Sequence, residues 1–263
     1  MAITFLSVNA QKLPNVQQTS LRLPANVKID GKTTEWGDKF QAYNTATELF
    51  YTIANDDKRL YLVVQTDNQM VLSRIIMGGV TLIVQPSGQK NDKNGAYISF
   101  PWFDKNKRKP LISLRDKKEL HGASKEISDY FADSVMKENN KKLTTATKWI
   151  ITKNIPGVDS SLSIYNNNGI EAAHAVDAKR AYNCELSIDL KSIGLSLANA
   201  TKFTYHVIVN GGPGKLGAVT FSAATDPLGN TTPAAFLEEL NKSAQILTSQ
   251  TDFWGEYTLA KKL

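Results

Sequence analysis

Four tryptophans stand far apart in the chain, Trp36, Trp102, Trp149 and Trp254, and they are the residues best suited to recognise a ligand. A flat indole covers the apolar face of a pyranose ring while polar side chains fix the hydroxyls around it. The same ring also serves as a plug in a core, so the local pattern must separate the two roles. Trp36 follows the Asp30-Gly31 turn in "VKIDGKTTEWGD" (27–38) and reads as a plug that seals the fold. Trp149, in "KWIIT", reads as core. Trp102, in "FPWF" beside a charged stretch, is the best candidate for an exposed platform. Trp254, in "DFWGEY", is the second candidate, because strand side chains alternate and it must point away from Phe253.

Other chemistries find less support. Asp56, Asp57 and Asp67 lie in acidic turns where carboxylate and carbonyl oxygens could hold calcium, although solvated turn residues carry the same pattern. No EF-hand loop is present. His121, His174 and His206 are widely separated and show no metalloprotease spacing. His174, between Ala172 and Val176, reads as a core histidine whose ring nitrogens are satisfied. "GGPGKLG" (211–217) lacks the spacing and the Ser/Thr of a phosphate loop, and no nucleophile elbow occurs. Glu185 and Asp189 fall on the polar face of one alternating strand, where a solvated edge is expected. Asp189 is the member of that face retained as a candidate ligand contact. The lone Cys184 excludes an intramolecular disulfide and alternates with apolar neighbours, which makes it an inert core thiol.

The elements that must position these residues are mostly strands. "ELFYTIA" (48–54) and "RLYLVVQ" (59–65) flank an Asn-Asp-Asp turn and form a hairpin. Further strands are expected at 78–86, 95–103, 145–152, 169–177, 181–190, 202–210 and 253–260. In "AYNCELSIDL" (181–190) the apolar set Tyr182, Cys184, Leu186, Ile188 should face the interior and the polar set solvent. Ser124 begins a helix over 124–143 whose stripe of Ile127, Tyr130, Phe131 and Val135 should cap a sheet. A second helix is expected over 232–247. The pattern predicts a mainly β, antiparallel two-sheet β-sandwich with one or two inserted helices. Residues 25–263 form its single domain, with an insertion at about 87–144, after an N-terminal segment 1–24.

Composition narrows the partners. The 263 residues are 41% hydrophobic and 21% charged, ordinary values for a chain with a sizeable core. No run approaches the roughly 18 apolar residues of a transmembrane helix. The net charge of +6 owes much to "KNKRKPLISLRDKK" (105–118), with seven Lys or Arg against one Asp. That run reads as a solvated loop able to attract an anion, and without interleaved aromatics it does not suggest nucleic acid. "MAITFLSVNA" resembles the end of a secretory hydrophobic region, with small residues before a cleavage point and no basic n-region.

Three stretches, in order, carry a family resemblance. They are "VKIDGKTTEWGD", "YTIANDDKRLYLVVQTDN" (51–68) and "YNCELSIDLKSIGL" (182–195), and "DFWGEYTLA" is similar to the usual closing strand. Together they resemble the family 9 carbohydrate-binding module-like sandwiches, related in fold to the DOMON group. The resemblance implies an exported bacterial protein, periplasmic or at the cell surface, that binds a glycan without catalysis. It assigns no ligand-binding aromatic to a position in this sequence. A sandwich that has lost its sugar site and binds an envelope protein through the basic run and helix is the alternative. A glycan-acting hydrolase ranks third.

Overall fold

The hairpin "LFYTIANDDKRLYLVVQT" shows how local chemistry starts the sandwich. Asp56 closes its turn by accepting from the amides of Lys58 and Arg59, both at 2.7 Å, and from the Tyr61 hydroxyl at 2.8 Å. The strands it joins, β3 (Leu49–Asn55) and β4 (Arg59–Thr66), pair antiparallel from Phe50↔Gln65 to Asn55↔Leu60. In the computed structural model the described residues are 12–24, 27–37, 39–104, 106–114, 125–199, 202–212, 222–223 and 231–262. The apolar N-terminal decapeptide, Ser124 with its capping role, His121, Lys105 and residues 115–118 of the basic run, and most of "GGPGKLG" lie outside them.

Two six-stranded sheets face each other. The first contains β1 (Leu21–Arg22), β2 (Ala42–Asn44), β3, β4, β9 (Ile170–Val176) and β10 (Tyr182–Asp189), in the order β1-β3-β4-β10-β9 with β2 also on β3. The second contains β5 (Val80–Gln85), β6 (Ala96–Trp102), β7 (Trp149–Lys153), β8 (Ser161–Ser163), β11 (Phe203–Val209) and β12 (Thr251–Tyr257), in the order β12-β11-β5-β6-β7-β8. Every pairing is antiparallel except β1 on β3. The inward sets of the two sheets fill the core, among them Tyr51, Leu62, Leu82, Phe100, Ile188 and Tyr205. Cys184 is buried there, and burial pushes its thiol pKa up, so it is the inert core residue its alternation predicts.

Among the described residues there is one α-helix beyond the two expected. The new one, α1 (Gln69–Gly78), crosses from β4 to β5 and so from one sheet to the other. Its start was readable: the Asn68 side chain accepts from the amides of Met70 and Val71. The expected helices are α2 (Lys125–Ala146) and α3 (Ala234–Thr248). Strand β6 lies inside the stretch read as an insertion yet is a full member of the second sheet, so the excursion proper begins after it.

The excursion is tied down more firmly than a solvated loop. Gln69 of α1 donates to the Ile112 carbonyl and accepts from the Leu114 amide, as a neighbouring strand would. Asn139 of α2 meets the backbone of Ser113 from the other side. Ile112 and Leu114 are buried while Leu111 is exposed. The C-terminal half of α2 covers the edge strand β9, where the Asn140 amide both donates to and accepts from the Val176 backbone. The other half does not cap a sheet, because Ile127, Tyr130 and Phe131 are all exposed.

Candidate functional site

The outer face of the first sheet is closed by the "VKIDGKTTEWGD" segment. Strand β10 turns Asn183, Glu185 and Ser187 outward, as alternation requires, but these residues are buried and not at a solvated edge. Segment 27–37 lies over Glu185, while Asn183 is held by Gln65 and Asp177 and Ser187 by Arg59. Glu185 takes a 2.7 Å hydrogen bond from the Trp36 indole nitrogen and two more from the amides of Asp30 and Gly31, at 3.0 and 2.6 Å. Burial pushes its carboxyl up to about 7, against the pull of those three donors. Gly31 has φ +82° and passes so close to β9 that a Cβ would sit 2.5 Å from the His174 carbonyl carbon. Trp36 is therefore the expected plug, placed on the outside of one sheet with Leu23, Val27, Tyr61 and Val63 rather than between the two. This face has no room for a ligand at Glu185.

His174, beneath the same segment, is the satisfied core histidine its setting suggests. Its ring nitrogens meet the hydroxyls of Thr147 and Tyr182, each at 2.8 Å. Burial of the ring holds its pKa down to about 3, so it stays neutral.

The outer face of the second sheet carries the other three tryptophans. Trp254 lies directly across from His206 on β11, and Trp102 directly across from Trp149 on β7. A register shift between Ser99 and Trp102 turns Trp102 onto this face. Trp102 is half-buried, whereas Trp149 is 41% exposed and not the core residue its neighbours suggested. Phe253 points into the core, so Trp254 faces outward as alternation demands.

Trp254 is held flat. Its ring stacks on the His206 imidazole with centroids 4.2 Å apart and planes 14° from parallel. His206 is clamped at both nitrogens, to Asp92 of the β5–β6 connection at 2.9 Å and to Asp252 of β12 at 2.7 Å. Beside this platform runs a groove of about 670 Å³, between the edge strand β12 and residues Asn15–Ser20. Trp254, Lys90, Lys202 and Glu256 line it. Gly255, also in its lining, has no room for a side chain, because a Cβ there would meet the Tyr205 ring at 2.1 Å. Lys202 pairs with Glu256 at 2.8 Å. The arrangement offers one fixed aromatic surface with charged and amide groups at its rim, the composition that binds a sugar ring and its substituents.

The remaining expected site residues do not join it. Asp189 sits on the outer face of the other sheet, 3.2 Å from the Arg59 guanidinium, which also binds Glu171 at 2.6 Å. Asp56 is buried in its own turn, Asp57 pairs with Arg22 at 2.7 Å, and Asp67 is exposed. Among the described residues no three His, Cys, Asp or Glu side chains converge as a metal site would require. A second hollow of about 570 Å³ on the first sheet is lined by Phe40, Phe50 and Gln65 but offers no tryptophan. Lys90 and Lys202 are not among the residues singled out in the sequence, and His206 is weighed there only for metalloprotease spacing. The signal for two of them was there, since "KFTYHVIVN" sets Lys202, Thr204 and His206 in alternation against Phe203, Tyr205 and Val207. Among the described residues no helix is long and apolar enough to cross a membrane. No known family model matches the chain, and no curated protein matches it.

Proposed function

We propose that this protein is a non-catalytic glycan-binding sandwich of the family 9 carbohydrate-binding module-like type, and that the β12 groove is its site. The observation that carries the reading is the fixed Trp254 platform beside an open groove with polar walls. A core-plug role does not account for Trp254, because its ring faces away from the core and packs on a polar side chain. Export to the periplasm or cell surface accompanies this proposal and rests on the N-terminal apolar pattern and the resemblance. Calorimetry of the full chain against a panel of plant and bacterial oligosaccharides tests it. Binding by the parent and its loss in Trp254→Ala is the expected result, and no heat from any glycan would remove the reading.

A second reading, an envelope scaffold, is favoured by one feature. The exposed Ile127, Tyr130 and Phe131 of α2 form an apolar patch of the kind that marks protein contacts. Pull-down from an envelope extract with a Tyr130→Ser/Phe131→Ser variant discriminates, since partners retained by that variant are not held by α2.

A further inference from the structure

The charges around the Trp254 groove specify a class of glycan. Two lysines, Lys90 and Lys202, line it against a single carboxylate, Glu256. They act on the same group: Lys202, by hydrogen bond and charge, and Lys90 from further off, together hold the Glu256 carboxyl below the usual carboxylate range. One positive charge in the groove is thus left unbalanced. The other acids near the platform, Asp92 and Asp252, are turned to the His206 ring and are not part of the groove wall.

We infer that the groove takes an anionic glycan, with one sugar ring on Trp254 and its carboxylate or sulfate on Lys90 and Lys202. The inference rests on the glycan-binding reading of the same groove. Lysine suits this role as a mobile point charge, able to leave Glu256 for a ligand anion without a fixed donor geometry. The platform needs no rearrangement on binding, because His206 already supports the indole from behind and is itself held at both nitrogens. Both lysines are exposed, so the charge contribution should be screened by salt.

The test compares two ligands of the same backbone, an oligogalacturonate and its methyl ester, titrated calorimetrically into the full chain. The acid should bind roughly tenfold more tightly than the ester at low salt. That advantage should shrink at high salt and vanish in the Lys90→Gln/Lys202→Gln variant, while Trp254→Ala weakens both ligands. Equal affinities for acid and ester, both lost in Trp254→Ala, would overturn the anionic preference and leave the glycan site standing. Silence of both ligands, alongside a neutral glycan bound elsewhere on the panel, also ends the preference. An acid preference untouched by the lysine variant would assign the attraction to the general positive charge of the protein and overturn the inference too.

Discussion

The two sheets treat their outward tryptophans in opposite ways. Trp36 meets the first sheet from a connecting segment, is 7% exposed, and gives its indole proton to a buried carboxylate. Trp254 belongs to the second sheet itself, stacks on a histidine and lines an open groove. Residue type does not separate them. What differs is the chain laid over each face. The first sheet is covered by residues 27–37, which bring their own amides and indole to Glu185, whereas the β12 edge faces a gap beside residues 15–20. A polar residue at an outward strand position is therefore a lock on one face and part of an open groove wall on the other.

Removing the lock should produce the largest effect. Glu185→Ala strands three donors that now share one carboxylate, the Trp36 indole and the amides of Asp30 and Gly31. The cost of unsatisfied donors, offset in part by relief of a buried acid, sets the loss at about 3 kcal/mol in urea unfolding. A loss under about 1 kcal/mol, typical of surface sites, would mean that residues 27–37 stay in place without Glu185.

The same carboxyl should make stability depend on pH in a specific direction. Its ordinary value is 4.5 and burial raises it in the folded state to about 7. Below 4.5 both states hold the proton, between the two values only the folded state does, and above 7 neither does. The stabilising contribution is thus full below pH 4.5 and is lost as pH rises through 7, a fall of about 3 kcal/mol. Glu185→Gln cannot titrate, so the difference between parent and variant unfolding curves isolates the effect. A difference that is constant from pH 4.5 to 8 would show that the three donors, not burial, govern this acid.

Legibility in the sequence followed the same division. The pattern of apolar runs, alternation and turn residues placed β3, β4, β5, β6, β9, β10 and β11 to within a residue or two, because inward residues answer to a core every sandwich needs. It also oriented Trp254 correctly. It failed for Glu185 and Trp149, whose burial depends on what a distant segment does. Nothing near "CELSID" says that residues 30–36 will cover it, and nothing in "KWIIT" says that its outward face will be left uncovered. The short strands β1, β2 and β8 escaped for another reason, since two or three residues carry no period. The N-cap of α1 was legible but stands before "MVLSRIIMGG", whose apolar residues suit a buried helix and a strand alike.

Trp149 offers the finest test, because it is exposed on the same face as Trp254 without sharing its setting. Four strand intervals separate β12 from β7, so the two rings lie on the order of 20 Å apart. Trp149 has Trp102 across from it and Ser163 on its other side, and neither ring lines the β12 groove. With 41% of its surface already in water, Trp149→Ala forfeits only part of a cross-strand contact, about 0.5–1 kcal/mol of stability. A short oligosaccharide seated on Trp254 cannot reach it, and its affinity should be the same in parent and variant. Calorimetry with a disaccharide or trisaccharide, run beside Trp254→Ala, reads this directly. If Trp149→Ala weakened a short ligand as much as Trp254→Ala, the binding surface would be the aromatic face as a whole, and the groove, the His206 clamp and the two lysines would lose their special standing.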